Sequence, residues 1–326
     1  MNFVYCFDNN YNIQAFTSMI SLLDNVDEKI RIFIIHNKKI KKSEFPQKVL
    51  SHINLKSICI FQFKESGIEF PNIPKTHVSE ATYYRLFIEN YLPNDIERFV
   101  YLDADVICLF NPLPFIYQEF KKLEKQNLLL SARTEIRKKD IPKKYVNEYE
   151  MPWNRLNIDE DYFNAGVLIV NFKKWKKENF TEKFLKKLKK LNKDIIMWDQ
   201  DVLNSVINGN YLKLNKIHNF KDNDLEAEGS VDTFNFENII FYHFAGSGKP
   251  WKTNAAFRKS SMLYQNNFRK ISNQNFHITH VNVINSIADL FVGLKSKTFR
   301  NLDKKITYIY EFTISLIIRI IRSGKV

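Results

Sequence analysis

The segment Tyr101-Leu102-Asp103-Ala104-Asp105 places two carboxylates one residue apart, between the apolar pairs Phe99-Val100 and Val106-Ile107. It reads as a buried strand that ends in acid. Desolvating an ionised carboxylate is costly, so a pair at such a position calls for a cation or for strong hydrogen-bond donors. A divalent metal carrying a diphosphate meets that need. Asp-x-Asp recurs by chance in chains of this size, so its partners decide the reading.

Four further segments offer partners. Phe163-Asn164-Ala165-Gly166-Val167 introduces a strand through small residues, as an ordinary Asn-Gly-type turn also does. Trp198-Asp199-Gln200-Asp201-Val202-Leu203-Asn204 opens a helix with acids, which capping and dipole compensation explain for either Asp taken singly. Tyr242-His243-Phe244-Ala245-Gly246-Ser247-Gly248-Lys249-Pro250-Trp251 sets a His at a strand end, before a small-residue loop and a Lys. A buried His bonded to backbone, followed by a flexible loop, is its plainer reading. Ser79-Glu80-Ala81-Thr82-Tyr83-Tyr84-Arg85 opens a helix with a cap and an Arg one turn in. Together the residues are chemically coherent. Asp103, Asp105 and His243 suit Mn²⁺ or Mg²⁺, with coordination positions left for phosphate oxygens. The loop at Gly246 and Gly248 lets backbone amides approach phosphate, and Lys249 adds a point charge for a departing diphosphate.

The elements that must position these residues alternate. Strand-length apolar runs occupy 3–7, 32–35, 57–63, 99–102, 128–131, 167–170 and 239–242, several apolar on both parities, as in strands covered on two faces. Helical spacing marks 12–23, 81–90 and 180–191. The alternation predicts an α/β fold with a mixed, mainly parallel sheet and helices on both sides. Ligands of such sheets bind beyond the carboxyl ends of the strands. Asp8, Asp103, Asp105 and His243 all follow strands, so one crevice can collect them.

The chain has 326 residues, a formal charge of +13, 44% hydrophobic content, 8 Gly and 9 Pro, which excludes long disordered tracts and favours an anionic partner. Cys6, Cys59 and Cys108 sit in apolar runs without a Cys-x-x-Cys pair, as buried reduced thiols of a cytoplasmic protein would. The N-terminus lacks a basic region and a long apolar segment, and reads as the first strand rather than a signal peptide. Strand signals fade after Lys259. In the stretch 302–322, Lys304, Thr307, Glu311, Ser315, Arg319 and Arg322 form one polar stripe on an otherwise apolar helix. It is too interrupted to span a bilayer. A helix lying in an anionic membrane interface is the preferred expectation, and docking on the core or a second subunit the alternative.

In these strings and in their order, the chain resembles glycosyltransferase family 8, the retaining group that includes bacterial lipooligosaccharide galactosyl- and glucosyltransferases and glycogenin. The likeness covers roughly residues 1–258, which it implies are one nucleotide-binding domain of GT-A type. Residues 259–326 would then be a helical, basic, membrane-associating tail. The resemblance implies that Asp8, Asn9, Asn10 and Tyr11 hold uracil and ribose. Asp103, Asp105 and His243 would bind the metal, with Asp103 and Ala104 also near the nucleotide. Gly246 and Lys249 would hold the diphosphate, and Arg85, Asn164, Asp199 and Gln200 the donor sugar, Gln200 near its β face. The implied activity is transfer of galactose or glucose from a UDP-sugar to a glycan or glycolipid acceptor in lipopolysaccharide or other surface-glycan assembly. The implied setting is the cytoplasmic face of the plasma membrane. One departure concerns the strand at 128–130. An Asp follows it in the lipooligosaccharide galactosyltransferase, whereas here Ser131-Ala132-Arg133-Thr134-Glu135 follows.

Two rival readings remain at this level. An Asp-x-Asp nucleotidyltransferase needs the acids but not the Asn-Ala-Gly, Asp-Gln-Asp and His-to-Lys segments. A non-catalytic basic protein would bind membrane or nucleic acid, but the Lys clusters lack interleaved aromatics, so no nucleic-acid partner is expected.

Overall fold

The computed structural model describes residues 1–323 except 66, 72–78, 143, 144, 146, 147, 149, 223, 225–235 and 297. Seven strands form the main sheet: β1 Asn2–Phe7, β2 Ile30–His36, β3 Leu55–Gln62, β4 Arg98–Leu102, β6 Leu130–Ile136, β7 Tyr162–Asn171 and β8 Leu212–Lys213. Their order is β3-β2-β1-β4-β7-β6-β8. The pairs among β3, β2, β1 and β4 are parallel, as is β6 with β8, while β7 runs antiparallel to both of its neighbours. The expected mixed sheet is therefore present. A second sheet joins β5 Val106–Cys108, β10 Phe241–His243 and β9 Phe220–Lys221 in the order β5-β10-β9.

The two-parity apolar pattern has its expected cause. Along β1, Val4 and Cys6 enter one core with Tyr84 and Phe87, while Phe3, Tyr5 and Phe7 enter another with Phe16, Met19 and Leu23 of the helix Asn12–Asn25. The segment 81–90 is helical as expected but wound as a 3₁₀ helix over Glu80–Asn90, capped by the Ser79 hydroxyl accepting from the Ala81 N–H. The strand expected at 167–170 extends back to Tyr162, so Asn164-Ala165-Gly166 lies inside β7 rather than in a turn before it. Cys6 and Cys108 are buried and Cys59 is half-buried, all as free thiols.

Beyond Lys259 the chain returns to the body. The helix Ser261–Ile271 packs on Asn12–Asn25, with Lys270 Nζ 2.7 Å from Asp24. The helix Lys305–Ser323 buries Tyr308 and Phe312 against Phe257 and Phe276. Its polar stripe faces the protein at its centre. Glu311 accepts from the backbone N–H of Asn275 and Phe276 at 2.9 and 2.8 Å, and Ser315 pairs with His280 at 2.8 Å. Ile306, Tyr310, Ile317 and Ile321 of this helix are exposed, as are Ile284, Phe291 and Val292 of the helix Val283–Lys295. Among the described residues, no helix is long and apolar enough to cross a membrane.

Candidate active site

The carboxyl ends of β1 and β4 open into a cavity of about 640 Å³, lined by Asp8, Tyr11, Arg85, Asp103, Gln200 and Lys249 among others. Asp8 follows β1 and accepts from the Asn10 N–H at 2.9 Å. The turn after β4 is pinned on both sides. The Asp103 N–H donates to the Gly166 carbonyl at 2.9 Å, and the Phe244 N–H to the Asp105 carbonyl at 3.1 Å. This register brings β10 beside the acids. Asp103, Asp105 and His243 each offer a ligand atom, and these atoms lie within 4.8 Å of one another.

His243 is oriented by its neighbours. Its Nδ1 lies 2.9 Å from the Asn219 side-chain oxygen, while the Asn219 amide nitrogen donates to Asn164 at 2.9 Å. The oxygen can only accept, so Nδ1 carries the proton. Nε2 then presents a lone pair 3.4 Å from Asp105 and 3.8 Å from Asp103. Two carboxylates and a correctly tautomerised imidazole fit a divalent cation. Gly166 makes room for the ring, since a Cβ there would stand 2.2 Å from His243 Cε1.

Cations organise the acids. Burial pushes the Asp105 carboxyl up, but the Lys249 ammonium bonded to it, together with His243, holds it well below the usual carboxylate range. Arg85 is buried over the Tyr101 ring, 4.2 Å from its centre. Its guanidinium reaches Asp103 at 2.7 Å, Asp199 at 2.7 Å and the Ala165 carbonyl at 2.6 Å. Burial lifts the Asp199 carboxyl to about 6, against the opposing pull of Arg85 and of the Thr82 hydroxyl that donates to it. Trp198, directly before Asp199, has φ +48, a left-handed conformation that costs energy for a bulky residue.

Beyond the acids lies a polar wall. Gln200 Oε1 accepts from the Ala165 N–H at 3.0 Å, and its buried Nε2 has no hydrogen-bond partner among the described residues. That leaves a donor for a ligand oxygen. The β6–β7 ladder breaks its register between Ala132 and Arg133 and again between Thr134 and Ile136. Such bulges re-aim side chains. Glu135, at the second break, turns into the cavity, where Asn164 Nδ2 donates to it at 2.7 Å and Lys221 pairs with it. Burial raises the Glu135 carboxyl, but Lys221 and Asn164 outweigh it and hold it low.

Of the residues singled out in the sequence, Asp8, Tyr11, Arg85, Asp103, Ala104, Asp105, Asn164, Asp199, Gln200, His243, Gly246 and Lys249 line this cavity. Asn9 and Asn10 do not. They are exposed on a 3₁₀ turn at its rim, Asn10 bonded to Asp8. Lys249, expected on a diphosphate, has its ammonium on Asp105 here. Asp201 of the Asp-Gln-Asp segment points away into the core. It is fully buried and held by Arg155, Tyr162 and the N–H groups of Ile196 and Met197. Asn219, Lys221 and the inward role of Glu135 escaped sequence reasoning. The first two flank Phe220 at β9, a strand of two residues whose brevity leaves no periodic signal.

A model of glycosyl transferase family 8 matches residues 2–255. A lipopolysaccharide 1,2-glucosyltransferase of Escherichia coli K12 is 28% identical over 266 residues, 77% of this chain and 72% of that protein. A lipopolysaccharide 1,3-galactosyltransferase of Salmonella typhimurium is 27% identical over 188 residues, 57% of this chain and 53% of that protein. The fold is similar to that of the galactosyltransferase LgtC solved with donor and acceptor sugar analogs. That likeness has a TM-score of 0.67 and 20% identity, and covers 84% of this chain and 97% of that one. With the family model spanning nearly the whole α/β body, the chain belongs to glycosyltransferase family 8.

Proposed function

We propose that the protein transfers galactose or glucose from UDP to a saccharide acceptor, with retention at the anomeric carbon, in lipopolysaccharide, lipooligosaccharide or another surface glycan. The observation that carries this is the convergence of Asp103, Asp105 and His243 in a cavity that Asn164 and Gln200 also line. A Mn²⁺ or Mg²⁺ ion held by the three would offset charge on the departing diphosphate. Asp8 and Tyr11 accept the nucleoside, with Asn9 and Asn10 at the rim. Gly246, at φ +81, turns its amide-bearing loop towards phosphate, and Lys249 exchanges its carboxylate partner for a phosphate oxygen. Arg85 fixes Asp103 and Asp199, while Asn164, Asp199 and the free Nε2 of Gln200 hold the sugar. Gln200 is an amide and a poor nucleophile. Front-face attack by the acceptor hydroxyl is therefore preferred, with its proton passing to a diphosphate oxygen.

The catalytic unit is taken as residues 1–258, and 259–326 as a helical membrane-associating appendage. The reversed polarity of the helix Lys305–Ser323 supports this, because Glu311 and Ser315 face the protein and isoleucines face outward. Together with Lys304, Lys305, Arg319 and Arg322, that face suits the anionic inner surface of the plasma membrane, with the enzyme on the cytoplasmic side. Screening UDP-galactose and UDP-glucose for Mn²⁺-dependent UDP release tests the reaction. Asp105→Asn and His243→Ala should each abolish most of it while leaving the fold intact. Pyrophosphate release from a nucleoside triphosphate, or full Asp105→Asn activity in EDTA, would refute the reading.

A further inference from the structure

We propose that Arg258 is a positioning residue for the diphosphate, its guanidinium bracing the loop Gly246-Ser247-Gly248 from below. The inference deepens the hexosyl-transfer reading and rests on it. The two loop glycines serve different ends. Gly246 has φ +81 and nothing within 4 Å of an added Cβ, so conformation calls for glycine there. Gly248 lies outside the left-handed region, so conformation does not. What excludes a side chain at 248 is Arg258. A Cβ there would stand 2.8 Å from Nη1, 3.0 Å from Nη2 and 3.2 Å from Cζ. Both nitrogens are nearer than the carbon, so the forked edge of the guanidinium faces Gly248.

The tip of an Arg side chain ordinarily swings aside. This one is tied. Nη1 donates to Asp222 Oδ2 at 2.8 Å, and Asp222 Oδ1 accepts from the Ser260 hydroxyl at 2.8 Å and from the Tyr242 hydroxyl. Tyr242 lies on β10, ahead of the loop, whereas Arg258 and Ser260 follow it. One carboxylate therefore clamps the strand that enters the loop to the segment that leaves it, and Arg258 extends that clamp to the loop itself. Asp222, Gly246, Ser247, Gly248 and Arg258 all line the donor cavity. The loop is lightly held within itself. Gly246 and Ser247 are exposed, and the N–H groups of Gly246 and Gly248 have no hydrogen-bond partner among the described residues. Such amides can receive phosphate oxygens. Ordering a slack loop at the moment of binding costs conformational entropy, and a brace set beforehand removes that cost. Lys249, the next residue, is committed to Asp105 and to the Phe244 carbonyl at 2.9 Å, so it steadies the acids rather than the loop tip.

The test uses the full chain with Mn²⁺. UDP and uridine are titrated by calorimetry into wild type, Arg258→Ala, Arg258→Lys, Gly248→Ala and the double variant Arg258→Ala/Gly248→Ala. Arg258→Ala and Gly248→Ala should each weaken UDP binding by about tenfold. Uridine has no phosphate to place on the loop and should bind every variant as it binds wild type. Arg258→Lys keeps the charge but not the fork, and should bind UDP no better than Arg258→Ala does. The double variant should be no worse than either single one. Thermal melts without ligand give a second cycle. Gly248→Ala should lower the midpoint of the otherwise wild-type chain but not that of Arg258→Ala, where the added methyl has room. Wild-type UDP affinity in either Ala variant, full rescue by Lys, an equal loss for uridine, or additivity in the double variant overturns the proposal. A wild type that binds no UDP would instead sink the donor reading, while the melts, which need no ligand, still report whether Gly248 is seated on Arg258.

Discussion

Replacing Gly166 by Ala is a one-carbon perturbation aimed at His243. The added Cβ would sit 2.2 Å from Cε1 and 2.7 Å from Nδ1 of the imidazole. Ordinary contact begins near 3.4 Å, so the ring must retreat by about 1.2 Å or β7 must yield. Neither accommodates easily. The ring is tied to Asn219, and Gly166 is bonded through its carbonyl to Asp103 and through its N–H to Asn164 at 3.0 Å. Overpacking of this kind costs about 1–3 kcal/mol of stability. The functional cost should be larger, because a displaced imidazole no longer shares a centre with Asp103 and Asp105. Metal affinity should fall by roughly 10–100-fold, as it does when the support of a ligand is lost. Mn²⁺ titration of UDP release, run beside a thermal melt, measures both quantities. The clash also predicts non-additivity. In a His243→Ala background, Gly166→Ala should add little further destabilisation. Wild-type Mn²⁺ dependence in Gly166→Ala, or full additivity in the double variant, would refute the reasoning.

Three further outcomes are expected. Asn219→Ala should weaken Mn²⁺ binding by roughly 10–100-fold with little change in UDP affinity measured without metal, because it removes the acceptor that fixes the His243 tautomer; unchanged Mn²⁺ affinity would count against that role. Burial lifts the folded Asp199 carboxyl to about 6, above its ordinary value of 3.8, so its contribution to stability is full below 3.8 and is lost as pH rises through 6. The stability of Asp199→Asn minus that of wild type should grow across that window and then level, as read from denaturant melts at stepped pH, and a flat difference would contradict the assignment. Changing Ile317 and Ile321 to Gln on the outward face of the terminal helix should reduce sedimentation with anionic vesicles while leaving the thermal midpoint unchanged, since both side chains are about half exposed, at 50% and 56%; unchanged sedimentation would argue against a membrane role.

What could be read from the sequence follows physical signal strength. β1 and β4 were legible because buried parallel strands need apolar residues on both parities, and Asp8, Asp103 and Asp105 stand out as the first charges after them. Arg85 was legible because it falls one turn inside a capped helix. Other features depend on tertiary register. The inward turn of Glu135 comes from a break in the β6–β7 ladder, which alternation alone does not encode. Lys221 ends, and Asn219 directly precedes, a two-residue strand that is held by its pairing with β10. The polar stripe of the terminal helix was found by its periodicity, but which way it faces was decided by Glu311 meeting the N–H groups of Asn275 and Phe276, more than thirty residues away. Asp201 looked equivalent to Asp199 in the string, and only burial beside Arg155 separates them.

The strand order also has a consequence for how such a catalyst can diversify. β1, β4 and β7 are interior strands whose side chains are almost wholly buried, so substitutions there disturb core packing as well as the donor cavity. β8 is a two-residue border strand, half-buried at Leu212 and exposed at Lys213, with exposed Asn215 and Lys216 just beyond it. Changes at such a margin cost little stability. The molecule therefore keeps an invariant-cost engine at its centre and a freely rewritable border at one side. Sequence change is therefore tolerated at that border far more readily than on the strands that lead to Asp8, Asp103 and Asn164.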